Sequence, residues 1–254
     1  MRLHVAFHPS LLLTGALDPA PVDRPQVCVV VDVLRASTSL VTLVERGADG
    51  VYIAPSVAVA RARKGELPRV VMAGEEGGLA PEGFDYGNSP VELAAAEIRG
   101  RPVIFVTTNG TAAIRAVAGL GPVLIGAMRN GAAAAAEAFR LARAAGSDVT
   151  LVCAGREGGF GLDDAYCAGY LTSRLLEHGP FDLTDGAEAA LLLYRSEPDT
   201  LAVFLRAAAG RNIVRLGLQA DVSYCARRDC SSVVPTVGRE LRLVEETVPG
   251  ERRQ

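Results

Sequence analysis

Asp32 closes an apolar, largely β-branched run (Val27-Cys28-Val29-Val30-Val31), and Arg35, Ser37, Thr38 and Ser39 follow before an amphipathic segment begins at Leu40. A buried strand ending in a carboxylate, followed by a hydroxyl-rich turn into a helix, suits a charged ligand. In open parallel sheets ligands bind outside the carboxyl ends of strands, and helix starts offer amide donors to anions. Asp32 can hold a hard cation or act as a nucleophile, while Arg35 and the Ser37 and Thr38 hydroxyls hold phosphate. The bland alternative is a carboxylate that merely ends a strand and a serine that caps a helix. A second turn, Thr107-Thr108-Asn109-Gly110-Thr111, follows the apolar run 103–106. Three hydroxyls, an amide and a glycine in five residues exceed what a cap needs and make a cradle for phosphate oxygens. Glu75 lies just past an expected strand, 69–73, and Asp163-Asp164 follow another, 149–153. Acids gathered at one sheet edge repel each other unless a cation sits among them, and oxygen-only ligands suit Mg²⁺. The expected metal set is therefore Asp32, Glu75 and Asp164.

Other routes to phosphate chemistry are absent. Leu34 breaks a D-x-D pattern at Asp32, Cys28 and Arg35 are one residue too far apart for C-x₅-R, and there is no Gly-Lys-Ser/Thr. Only His4, His8 and His178 occur, which argues against a zinc enzyme or a Ser-His-Asp hydrolase. A cysteine hydrolase built on Cys153 would lack a histidine to lower its pKa.

Positioning these groups requires strands alternating with helices. Strands are expected at 2–7, 27–33, 51–54, 69–73, 103–106, 123–125 and 149–153, and helices at 40–46, 57–64, 91–98, 112–118, 132–145 and 165–178. Two or three more helices are expected between 186 and 216, and the segments 222–225 and 232–237 are read as strands closing the sheet. Residues 11–25, rich in proline, read as an irregular connection, and 74–90 as a long acidic, glycine-rich loop. The spacing gives an α/β chain, a three-layer α/β/α sandwich with a mostly parallel central sheet. One domain is expected over 1–254, with a polar tail from about 245.

The chain has 254 residues, 49% of them hydrophobic, no tryptophan and a formal net charge of −3. There is no basic footprint for nucleic acid and no apolar run of roughly 18 residues for a membrane span. Five scattered cysteines, an odd number without C-x-x-C spacing, fit a reduced compartment. A cytoplasmic protein with a small-molecule partner is expected, with no nucleic acid or membrane partner; a homo-oligomer is compatible with the sequence.

The blocks Asp32-Val33-Leu34-Arg35-Ala36-Ser37-Thr38, Gly74-Glu75, Gly87-Asn88-Ser89-Pro90, Thr107-Thr108-Asn109-Gly110-Thr111 and Cys153-Ala154-Gly155 with Asp164 resemble the 2-phosphosulfolactate phosphatase family. Asp221-Val222-Ser223-Tyr224-Cys225-Ala226, Asp229 and Val233-Val234-Pro235 resemble its C-terminal pattern. Where that family usually has Glu-Asp, this chain has Asp163-Asp164. The resemblance implies a Mg²⁺-dependent phosphatase converting 2-phospho-3-sulfolactate to 3-sulfolactate and phosphate, a step toward coenzyme M, on an α/β/α fold. On this reading Asp32, Arg35 and Asp164 are catalytic, and Ser37, Thr38, Asn88, Ser89 and Thr107 to Thr111 bind substrate. The alternatives are a phosphatase for another phosphorylated hydroxy acid and a non-catalytic binder of phospho-ligands.

Overall fold

A computed structural model of the chain describes residues 1–13 and 25–244. Most of the irregular connection expected over 11–25, and the tail expected from about 245, lie outside the described residues. Nine strands alternate with helices among the described residues. In chain order the strands are β1 (Arg2–Ala6), β2 (Gln26–Val31), β3 (Val51–Ala54), β4 (Val71–Gly74), β5 (Val103–Val106), β6 (Val123–Ile125), β7 (Asp148–Cys153), β8 (Asp182–Leu183) and β9 (Leu241–Leu243). They form two parallel sheets, ordered β6-β2-β7-β1-β8 and β4-β5-β3-β9. The α/β/α layering expected from βα spacing is present, and the strands are divided between two sheets.

Side-chain alternation along each strand builds the layers. On β2, Val27, Val29 and Val31 join one core cluster with Leu151 of β7 and residues of helices α6 (Gly131–Ala145), α7 (Leu162–Leu176) and α8 (Asp185–Ser196). Cys28 and Val30 face the other way, into a cluster with Leu40 of α2 (Ala36–Glu45) and Ile114 of α5 (Thr108–Val117). Val51 and Ile53 of β3, with Val103 and Phe105 of β5, enter that same cluster from the second sheet. Helices α2 and α5 thus share their apolar surface between the two sheets. Ala54, Met72 and Ile104, on the second sheet's far face, pack with Val57 and Ala60 of α3 (Val57–Arg63). The strands are buried on both faces, which explains their continuous apolar runs.

The remaining helices are α1 (Ser10–Leu13), α4 (Pro90–Ala95), α9 (Thr200–Arg206), α10 (Ala208–Arg215) and α11 (Gln219–Cys225). The segment 222–225, expected as a strand, lies in α11. A run of four residues cannot decide its own period, and here Asp221, Val222 and Cys225 are buried at helical spacing while Ser223 is exposed. The segment 232–237 is also no strand. Thr236 makes one isolated bridge to Leu124, and the closing strand is β9, which pairs with β3.

Candidate active site

Helices expected to begin at Leu40, Ala112 and Ala165 begin instead at Ala36, Thr108 and Leu162. The polar residues read as turns are therefore first helical turns, whose N–H groups have no intrahelical partner. Acids from elsewhere in the chain take up these donors. Asp32 accepts from the amides of Ala36 in α2 and Gly110 in α5, so two helix starts converge on one carboxylate. Gly110 permits this approach, because a Cβ there would lie 2.9 Å from Asp32 Oδ2 and 3.1 Å from Ala36 Cβ. Asp164, on the first turn of α7, accepts from Val33 N at 2.8 Å and Gly155 N at 3.0 Å. Glu75, beyond β4, accepts from Thr108 N at 2.9 Å, Thr108 Oγ1 at 3.0 Å and Gly78 N at 2.8 Å.

These groups open onto a cleft of about 440 Å³ at the carboxyl ends of the strands. Of the sequence-predicted residues, Asp32, Arg35, Glu75, Asn88, Thr107, Thr108, Asn109 and Asp164 line it. Ser37 and Thr38 do not. Ser37 Oγ accepts from Asp32 N at 2.8 Å and Thr38 Oγ1 donates to Val33 O at 2.9 Å, so both hydroxyls shape the turn that presents Asp32. Ser89 caps α4 and donates to Asp221, and Gly110 and Thr111 are buried in the first turn of α5. Asn88 Oδ1 is buried without a hydrogen-bond partner, an orphaned oxygen on a residue of the cleft wall.

Burial pushes the Asp32 carboxyl up to about 7, reinforced by the charges of Asp163 and Glu75 and opposed by its two backbone amides. Asp163 is pushed up to about 6, also by burial. Asp164 is raised well above the usual carboxylate range by burial and then by Asp163 and Asp32. Asp163, outside the expected metal set, lines the cleft and is the charge that acts most strongly on Asp32.

Arg35 has a different environment from the one expected. Its Nη1 donates to Asp221 Oδ2 at 2.8 Å and its Nη2 to Gly78 O at 2.7 Å, while Ser89 Oγ donates to Asp221 Oδ1 at 2.6 Å. Arg35 is 5% exposed and Asp221 1%. The ion pair ties the turn after β2, the glycine-rich loop, α4 and α11 together behind the cleft. Asp221, which immediately precedes the segment 222–225 read as a strand, is not among the expected site residues. A second missed residue had a visible signal. Residues 73–79 read Ala-Gly-Glu-Glu-Gly-Gly-Leu and 154–160 read Ala-Gly-Arg-Glu-Gly-Gly-Phe. Both form tight turns after strand ends, one after β4 and one after β7 of the other sheet, and Glu75 and Arg156, equivalent in this repeat, both line the cleft.

Among the described residues no three acids, histidines or cysteines are placed to hold a metal by themselves, so the three-carboxylate set Asp32, Glu75 and Asp164 is not a closed site. Asp164 and Glu75 each accept a backbone amide on both oxygens, and Asp32 accepts two backbone amides as well. The donor set still fits Mg²⁺ held loosely, by one or two carboxylates with water and substrate oxygens. Every donor is oxygen, neighbouring acid charges raise the pKa of Asp32 and of Asp164, and Asn88 Oδ1 lacks a partner. Cys153 is fully buried and its thiol is pushed well up by burial, the opposite of a nucleophile.

Comparisons with known proteins identify the chain's family. The family model described as 2-phosphosulpholactate phosphatase matches residues 16–240. A Thermus thermophilus protein named "Probable 2-phosphosulfolactate phosphatase" is 44% identical over 214 residues, 84% of this chain and 88% of its own length. A Deinococcus radiodurans protein of the same name is 41% identical over the same shares of the two chains. A third of that name, from Symbiobacterium thermophilum, is 36% identical over 86% of this chain and 94% of its own. With a family model covering most of the chain and relatives of this identity, the chain belongs to the 2-phosphosulpholactate phosphatase family.

Proposed function

We propose that this chain is a Mg²⁺-dependent phosphatase that hydrolyses a small acidic phosphomonoester, 2-phospho-3-sulfolactate, to 3-sulfolactate and phosphate. The observation that carries the reading is the meeting of Asp32, Asp163, Asp164 and Glu75 with the Thr107–Asn109 helix start in one cleft, in a chain of this family. Mg²⁺, when bound, offsets charge on the phosphate oxygens. Thr107 opens α5 without spending its hydroxyl as a cap. With the side chain of Asn109, it receives phosphate oxygens. Asn88 Oδ1 accepts a hydrogen bond from substrate or bound water. Asp32, titrating near neutrality, either attacks phosphorus or takes the proton of an attacking water. Trapping with hydroxylamine separates these two roles, since attack by Asp32 forms an acyl phosphate that the reagent captures and attack by water forms none. The coenzyme M route belongs to the same reading and rests on the family resemblance, and a cytoplasmic setting rests on the scattered cysteines without C-x-x-C spacing.

The test is phosphate release by the purified chain from a panel of phosphorylated hydroxy acids, with Mg²⁺ and with a chelator. Mg²⁺-stimulated release from 2-phospho-3-sulfolactate is expected. Release only from another ester would change the substrate, and binding without release would leave a phospho-ligand binder.

A further inference from the structure

Beside the acid-lined cleft lies a second cavity of about 610 Å³, with Arg156, Glu157, Phe160, Arg211, Asn212 and Arg215 in its wall. The two cavities share Arg156, Glu157 and Asn212, so they adjoin. Their charges are opposite. The first cavity presents Asp32, Glu75, Glu157, Asp163 and Asp164, and one of its two arginines, Arg35, is already neutralised by Asp221. The second presents three arginines against Glu157 alone. None of the three is spent on a buried partner. Arg156 Nε donates to the exposed Glu157 at 3.1 Å, Arg211 to the carbonyl of Arg206, and Arg215 to the side chain of Asn212. Each guanidinium carries five N–H donors in a fork suited to a planar or tetrahedral anion, so each keeps donors for a ligand. Arg211 and Arg215 lie four residues apart on α10, one above the other on the same helix face.

We propose that Arg211 and Arg215, with Arg156 at the junction, form a subsite for a second anionic group of the substrate, a sulfonate or carboxylate, remote from the phosphoryl group. The proposal rests on the phosphatase reading and adds what sets its specificity. An acid-rich cleft repels a polyanion, and the reaction site alone cannot choose between a simple phosphate ester and one bearing another acid. The arginine cavity supplies that choice by holding the distal anion while the phosphate sits among the acids with the cation. Asn212 marks the passage between the halves, its Nδ2 packed near Gly78 in the glycine-rich loop.

The experiment compares the parent with Arg211→Gln, Arg215→Gln and the double variant on two esters, 2-phospho-3-sulfolactate and isopropyl phosphate, which lacks both acids. Both arginines are exposed, so folding is not at risk. The parent's kcat/KM ratio in favour of the acidic ester is expected to fall about tenfold for each arginine removed, through KM more than kcat. An equal loss on both esters, or no loss on the acidic one, overturns the subsite. Calorimetric titration of 3-sulfolactate into each protein decides the same point without turnover. Binding by the parent that the double variant loses supports the subsite; equal binding by both, or none by either, overturns it. A parent that binds 3-sulfolactate through these arginines yet releases no phosphate from any ester would refute the phosphatase reading and leave the subsite standing.

Discussion

Replacing Asp221 by asparagine removes the charge that faces Arg35 and leaves a cation buried behind the cleft. The Arg35 and Asp221 side chains are 4% and 2% exposed, and 2.8 Å separates Nη1 from Oδ2. Breaking a buried pair by removing one partner costs about 3–5 kcal/mol, because the remaining charge is left uncompensated. Gly78 O still accepts from Nη2 and Ser89 Oγ still has an amide oxygen or nitrogen to meet, so the loss is electrostatic and not a cavity. In a chain of this size, that corresponds to a fall in Tm of roughly 6–20 °C. Thermal and urea denaturation of Asp221→Asn, Arg35→Met and the double variant Arg35→Met/Asp221→Leu measure it. The double variant should recover at least half of the single-variant loss, since an apolar pair of similar volume replaces an ion pair with little net penalty. Losses below about 1 kcal/mol in Asp221→Asn, or losses in the double variant equal to the sum of the singles, would refute the reasoning.

Asp32→Asn should abolish Mg²⁺-stimulated phosphate release while shifting Tm at pH 8 by only a few degrees, because the change conserves volume and removes repulsion from Asp163 and Glu75; a collapse in Tm would mean a structural role. Without divalent cation, stability should fall as pH rises from 5 to 8. Asp32 moves from an ordinary 3.8 to about 7 and Asp163 to about 6, so the folded chain holds more protons than the unfolded one across that window. The slope of Tm against pH should shrink in Asp32→Asn; an unchanged slope would assign the effect to other groups. Gly110→Ala should lower kcat at least tenfold, with a stability loss of about 1–3 kcal/mol, since the new methyl meets Asp32 Oδ2 at 2.9 Å. Unaltered kcat in that variant would show that the seating of Asp32 between α2 and α5 does not matter.

The strands that carry the site were readable because burial on both faces leaves uninterrupted runs such as Val103–Val106, and no competing period fits them. Helix starts were not. Ser37, Thr38, Thr108 and Gly110 have low helix propensity and read as turn, yet they are helical because Asp32, Glu75 and Asp164 satisfy the amides around them. Those long-range bonds leave no local trace. Ser37 and Thr38 changed from expected phosphate binders to supports of the Asp32 turn for a local reason, since their hydroxyls bond Asp32 N and Val33 O five residues back. Asp221 was out of reach for another reason: its partner Arg35 lies 186 residues away, and only the packing of α11 against α4 brings them together. Arg156 was within reach, through the repeat of residues 73–79 in 154–160.

The claim that acids from separate strand ends form one cation- and phosphate-binding cleft is tested most directly by crystals grown with Mn²⁺ and inorganic phosphate, using the anomalous signal of the metal. The expected result is a Mn²⁺ peak in the cleft, ligated by Asp32 or its neighbour Asp163, with phosphate bridging the ion and the Thr107–Asn109 helix start. A peak away from these acids, or phosphate bound without any ion near them, would contradict it.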